Sequence, residues 1–77
     1  MKMIKNIAKS PLLVEFGNHI RMLRVGKGWS QINFATNCNM EKSSMSKIES
    51  GLVNVSYLTM HRISSCLGIT MTVLCAV

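Results

Sequence analysis

From Ser10 onward the chain is divided into short apolar stripes at helical spacing, each opened by a polar capping residue and most closed by glycine. Ser10-Pro11 is a helix start, with Ser as N-cap and Pro at the first helical position. Leu13, Phe16, Ile20 and Leu23 follow at spacings of three, four and three, which predicts a helix over 11–25 closed by Gly26 and Gly28. Glu15 lies near the positive end of that helix. Ser30 caps a second segment, Gln31 to Cys38, with Phe34, Ala35 and Cys38 on one face. Asn37-Cys38-Asn39 suits a turn, because Asn tolerates the left-handed conformation. A third helix is expected from Glu41 to Ser50. Met45 and Ile48 point inward, Met40 anchors the preceding turn, and Gly51 closes the helix. Leu52 to Val55 is a connector. Ser56 caps a fourth helix with Met60, Ile63 and Leu67 inward and Cys66 beside them, ended by Gly68. Thr70 caps a last one, Met71 to Ala76. The pattern predicts five short helices in one compact all-α domain over 10–77, preceded by a basic N-terminal arm over 1–9.

Composition narrows the class further. A chain of 77 residues holds one small domain, and 48% hydrophobic residues suffice for a core. Nine Lys and Arg against three acids leave a charge of +6, which favours a polyanionic partner. The acids are Glu15, Glu41 and Glu49. No paired-carboxylate site, G-x-S-x-G, P-loop or H-E-x-x-H is present, so the chain reads as a non-enzyme. Cys38, Cys66 and Cys75 are odd in number and form no C-x-x-C pair. They read as three reduced thiols used as small apolar side chains, which implies a reducing compartment. His19 and His61 stand 42 positions apart with no Cys close to either. No metal site and no cofactor is expected. Lys2, Lys5, Asn6 and Lys9 break up the start too much for a signal peptide, and no run approaches the roughly 18 apolar residues of a spanning helix. The expected location is the cytoplasm.

The two central helices are joined by three or four residues, and the second is polar on its outer face. This is the geometry of a helix-turn-helix, in which the first helix braces and the second enters the major groove of DNA. Ala35 falls where the two helices cross closely, and Asn39 falls at the turn. The run Lys27-Gly28-Trp29-Ser30-Gln31, then Phe34-Ala35, then Met45-Ser46-Lys47-Ile48-Glu49-Ser50-Gly51, resembles the Cro/lambda-repressor-like helix-turn-helix family. Ser56, Thr59, Met60, Ile63, Leu67, Gly68 and Ile69 match that family's fourth helix and the start of its fifth. The likeness covers about residues 13 to 75. It implies a compact five-helix lambda-repressor-like DNA-binding domain. Three positions depart from the family pattern: Asn39 replaces a Gly, Glu41 a better N-cap, and Val55 a frequent Pro.

The resemblance also implies roles. Lys42 and Ser43 match the start of the recognition helix, where side chains reach base edges, and Lys47 matches another groove-facing position. Lys donates to guanine O6 and N7, and Ser reaches several bases. Ser46 lies on the same side and joins the base-reading set. Gln31 matches a family residue that contacts a phosphate and steadies the recognition helix. Ser30, at a helix start, offers a hydroxyl and free N–H groups to an anion. Ser44, Ser50 and Asn54 complete the phosphate set. Arg24 and Glu49 match a structural pair tying the first helix to the recognition helix. Trp29 matches a core position.

One such domain reads too few base pairs for a unique address, and the family solution is two-fold pairing on a palindromic site. Met71, Val73, Leu74 and Val77 make the C-terminal end apolar and are the expected homodimer surface. The expected function is therefore a sequence-specific double-stranded DNA-binding transcriptional regulator. The alternative is an antitoxin-like adaptor whose apolar C-terminus meets a toxin or another protein. Membrane association is not expected, since no long amphipathic basic helix is present.

Overall fold

The computed structural model describes residues 10–76. Residues 1–9, expected to form a basic arm, and Val77, expected at a homodimer surface, lie outside the described residues. Five helices follow one another: α1 Pro11–Gly26, α2 Gln31–Asn37, α3 Lys42–Glu49, α4 Tyr57–Leu67 and α5 Met71–Leu74. No strand occurs among the described residues.

Hydroxyl caps start three of the helices. Ser30 Oγ accepts from Asn33 N at 3.0 Å, Ser56 Oγ from Thr59 N at 3.1 Å, and Thr70 Oγ1 from Val73 N at 3.2 Å. Each such cap contributes about 1 kcal/mol. Ser10 occupies the N-cap of α1 without a side-chain bond, so Pro11 carries that start alone. Glu41 likewise caps α3 without a side-chain bond.

The exits are equally regular. At the end of α2, Asn39 N–H donates to Thr36 O at 3.0 Å and Met40 N–H to Ala35 O at 2.8 Å. This double bond pattern needs a left-handed residue between them. Asn39 supplies it with φ 60°. At the end of α3, Gly51 N–H reaches Ile48 O and Leu52 N–H reaches Lys47 O, with Gly51 at φ 74°. Helix ends differ from expectation by a residue or two. Gly26 is the last residue of α1 rather than its stop, α3 lacks Glu41 and Ser50, and α5 ends at Leu74 rather than Ala76.

Ile20, Phe34, Ala35, Cys38, Met45, Ile48, Ile63, Leu67 and Leu74 form the core. Trp29 is half-buried and tilts against Phe34 with ring centroids 5.9 Å apart. The Lys27 ammonium lies 5.4 Å from its ring centre. Helices α1 and α2 both pack on α3, while α5 folds back on α4. Gly17 governs the first of these contacts. A Cβ there would lie 2.5 Å from Ile48 O and 2.6 Å from Glu49 O, so only glycine lets α1 lie on the last turn of α3. Gly51 meets Val14 of α1 in the same close way.

Two expectations are corrected. Cys38 and Cys66 are joined in a disulfide across 28 residues, with Cα atoms 5.4 Å apart. The odd count and the missing C-x-x-C say nothing about thiols that the fold itself brings together, here from the end of α2 and the inner side of α4. Cys75 is the free, exposed thiol. Two disulfide-bonded cysteines do not point to a reducing compartment. Leu74, expected on a dimer surface, is fully buried in the chain's own core, and Met71 is packed against that core. The backward turn of α5 onto α4 accounts for both.

Candidate nucleic-acid interface

Helix α3 divides cleanly into two sides. Met45, Ile48 and Glu49 are buried, whereas Lys42, Ser43, Ser44 and Lys47 are exposed and Ser46 is half-exposed. With 3.6 residues per turn, Ser43, Lys47 and Ser50 lie opposite the buried side. Ser46 flanks them on one side and Ser44 on the other. Lys42 extends from the first turn. The four residues expected to read bases thus lie on α3 outside its buried stripe.

The anchoring of α3 is polar as well as apolar. The Glu49 side chain is wholly buried at the end of the helix. Arg24 of α1 grips it in a fork, Nε to Oε2 at 2.8 Å and Nη2 to Oε1 at 3.0 Å. The third guanidinium nitrogen, Nη1, donates to Trp29 O in the α1–α2 connection at 3.0 Å. Gln31 Nε2 of α2 donates to Glu49 Oε1, also at 3.0 Å. Arg21 adds a longer ion pair of 3.6 Å from its half-exposed side chain. One carboxylate therefore ties three helices together. No buried side-chain polar atom among the described residues lacks a partner. Such a pair contributes more to geometry than to net stability, because desolvating both charges offsets their attraction. It also neutralises one of the three acids, leaving Glu15 and Glu41 as the exposed carboxylates among the described residues.

The phosphate set is dispersed more than expected. Ser44 and Asn54 line a groove of about 500 Å³ between α3 and the start of α4, together with Lys47, Ser56, Thr59 and Arg62. Its floor includes Met40, Ile48, Val53 and Val55. Ser56 reads as a cap and Thr59 as a fourth-helix position in the sequence, and Arg62 only as one of nine basic residues. Their meeting beside α3 has no local signal. Ser50 is the half-buried C-cap of α3 and stands apart from the groove lining. Ser30 uses its hydroxyl locally, accepting from Asn33 N–H and donating to Asn33 Oδ1. Gln31 spends one amide hydrogen on Glu49, a bond spanning 18 residues that no local pattern marks. Arg21, one of the nine basic residues, also faces Glu49.

At the other end of the molecule Val73 is 46% exposed, and its carbonyl O lies 3.0 Å from His19 Nε2 of α1. Other exposed large apolar side chains include Leu12 and Met22 of α1 and Tyr57 and Leu58 in the first turn of α4. No group of three or more possible metal-ligating side chains occurs among the described residues. No helix among them is long and apolar enough to cross a membrane.

Comparisons with known proteins agree with this geometry. The helix-turn-helix domain family matches residues 15–73. The control protein C.MunI of a Mycoplasma species is 39% identical over 60 residues, covering 77% of this chain and 81% of that protein. The crystal structure of the restriction-modification controller protein C.AhdI from Aeromonas hydrophila is 34% identical, with a TM-score of 0.78, over 80% of this chain and 94% of that one. SinR, a master regulator for biofilm formation solved in complex with DNA, is 30% identical with a TM-score of 0.72, over 77% of this chain and 95% of that one. The chain belongs to the helix-turn-helix domain family and has the fold of its Cro/lambda-repressor-like regulators.

Proposed function

We propose that this protein is a sequence-specific double-stranded DNA-binding regulator of transcription. The observation that carries the reading is the two-sided α3: a cationic, hydroxyl-rich outer face on a helix whose inner face and far end are fixed by Met45, Ile48 and the Glu49 knot. A major groove admits such a helix. Lys42, Ser43, Ser46 and Lys47 read base edges. Ser44 and Asn54, with Arg62 beside them, follow the phosphate strand along the groove next to α3. Ser30, Gln31 and Ser50 meet phosphates around them.

The working unit is a homodimer on a palindromic site, since one eight-residue recognition helix distinguishes only a few base pairs. The names of the relatives support control of restriction-modification genes as the regulatory task. The role is binding rather than catalysis, and its place is the cytoplasm, where such DNA lies.

Selection from a random duplex pool tests the reading. A palindromic motif is expected, with its half-sites about one helical turn apart. Lys42→Ala is expected to relax one or two positions of it, each by roughly 1–3 kcal/mol. Salt-sensitive binding without any enriched motif would overturn sequence-specific reading.

A further inference from the structure

The disulfide sits at the joint of the helix-turn-helix. Cys38 is the C-cap of α2, directly before the left-handed Asn39 that makes the turn. Cys66 lies on α4. The covalent loop they close contains all of α3. The two ends of α3 are held differently. Its C-terminal end is pinned by Arg24 and Gln31 through Glu49 and by the close passage of Gly17. Its N-terminal end carries Lys42 and Ser43 and begins at Glu41, which makes no capping bond. The polar knot does not reach that end. The Cys38–Cys66 bond supplies a covalent link there, from the turn to α4.

We propose that Cys38 and Cys66 form a reversible thiol–disulfide latch that sets the DNA affinity of the recognition helix. The oxidised form binds tightly and the reduced form weakly. This rests on the DNA-binding reading above. The pair is chemically accessible from one side. Cys38 is buried, but Cys66 is half-exposed in a shallow depression shared with Asn37, Asn39, Ser65 and Arg62. Arg62 lies one helical turn before Cys66 and lines the same depression.

A small thiolate attacks Cys66 Sγ and breaks the Cys38–Cys66 bond. Cys38 leaves as a thiolate and takes a proton from water. A second small thiol attacks the mixed disulfide, freeing Cys66 and releasing the external disulfide. Two thiols are oxidised to one disulfide while the protein gains two electrons and two protons. A low-molecular-weight disulfide drives the reverse reaction. Where disulfides occur in a reducing cytoplasm they are commonly transient and redox-sensing, which agrees with a latch rather than a permanent staple.

The test uses the full chain carrying Cys75→Ser, so that intermolecular pairing does not intervene. It is treated with glutathione disulfide or with dithiothreitol. Alkylation and mass measurement count the free thiols, thermal melting reports the fold, and binding is measured on the selected duplex. Two thiols are expected to be masked on oxidation, with melting raised by about 10 °C. The reduced form is expected to bind DNA at least about fivefold more weakly. Adding Cys66→Ser, a change at the half-exposed partner, should make both treatments give the same weak affinity. Two thiols that stay free under glutathione disulfide overturn the latch. Equal affinity in the two states overturns its control of binding. Absence of DNA binding in both states, with the melting shift still present, overturns the DNA reading and the control built on it, while leaving the thiol chemistry visible.

Discussion

Gly17 lacks a side chain where the backbone carbonyls of Ile48 and Glu49 leave no room for one. Gly17→Ala would force α1 away from the end of α3 at a point where both sides are backbone and neither yields cheaply. A loss of about 1–3 kcal/mol is expected in denaturant unfolding, the usual cost of overpacking. An unchanged midpoint would mean that α1 and α3 shift apart freely. Nothing in the sequence marks Gly17. It falls inside an apolar stripe, where glycine looks like a weak point rather than a contact. Asn39 is the opposite case, because its residue type and its place between two stripes announce a left-handed turn. Arg24 and Glu49 were legible as a pair through the family likeness alone. That Gln31 shares the same carboxylate was not, because nothing local links positions 18 residues apart.

At the scale of elements, α2 and α3 act as one body because Gln31 at the start of the first reaches Glu49 at the end of the second. Gln31→Ala removes a hydrogen bond to a charged acceptor, worth about 1.5–3 kcal/mol of stability. It also lets α2 and α3 shift against each other and removes the phosphate contact proposed for Gln31. Every duplex sequence should then lose affinity by the same factor in titrations against matched and mismatched sites. A loss confined to one base position would make Gln31 a reader instead. The helices themselves were legible because caps and stripes are local: hydroxyls at Ser30, Ser56 and Thr70 make the bonds their positions call for. Element ends were less so. Thr70 starts α5, yet residues 75 and 76 leave the helix although both are apolar. The groove that joins Ser44 to Ser56, Thr59 and Arg62 depends on the approach of α4 to α3, which no stripe encodes.

For the whole molecule, the question is which apolar residues remain for a second copy once one chain has folded. The apolar C-terminus reads as surplus in the sequence, but α5 turns back and buries Leu74 completely. Hydrophobic composition states how much apolar surface needs covering, not whether the cover comes from the same chain. The two neighbouring positions now separate the alternatives. Leu74→Ala should cost about 2–5 kcal/mol in unfolding, as other large core truncations do, whatever the oligomeric state. Val73, 46% exposed, faces no such demand. If α5 is the dimer surface, Val73→Asp should leave the unfolding of the isolated chain nearly unchanged and lower the sedimenting mass at a given concentration. Affinity for the palindromic duplex should fall with it, because each half-site would then be bound without help from the other. Retained dimer mass in Val73→Asp would exclude α5 and direct attention to Tyr57 and Leu58, which are 64% and 77% exposed in the first turn of α4. A single-chain mass for the unsubstituted protein, free and on DNA, would remove the two-fold arrangement altogether and require one α3 to carry the whole of the sequence preference.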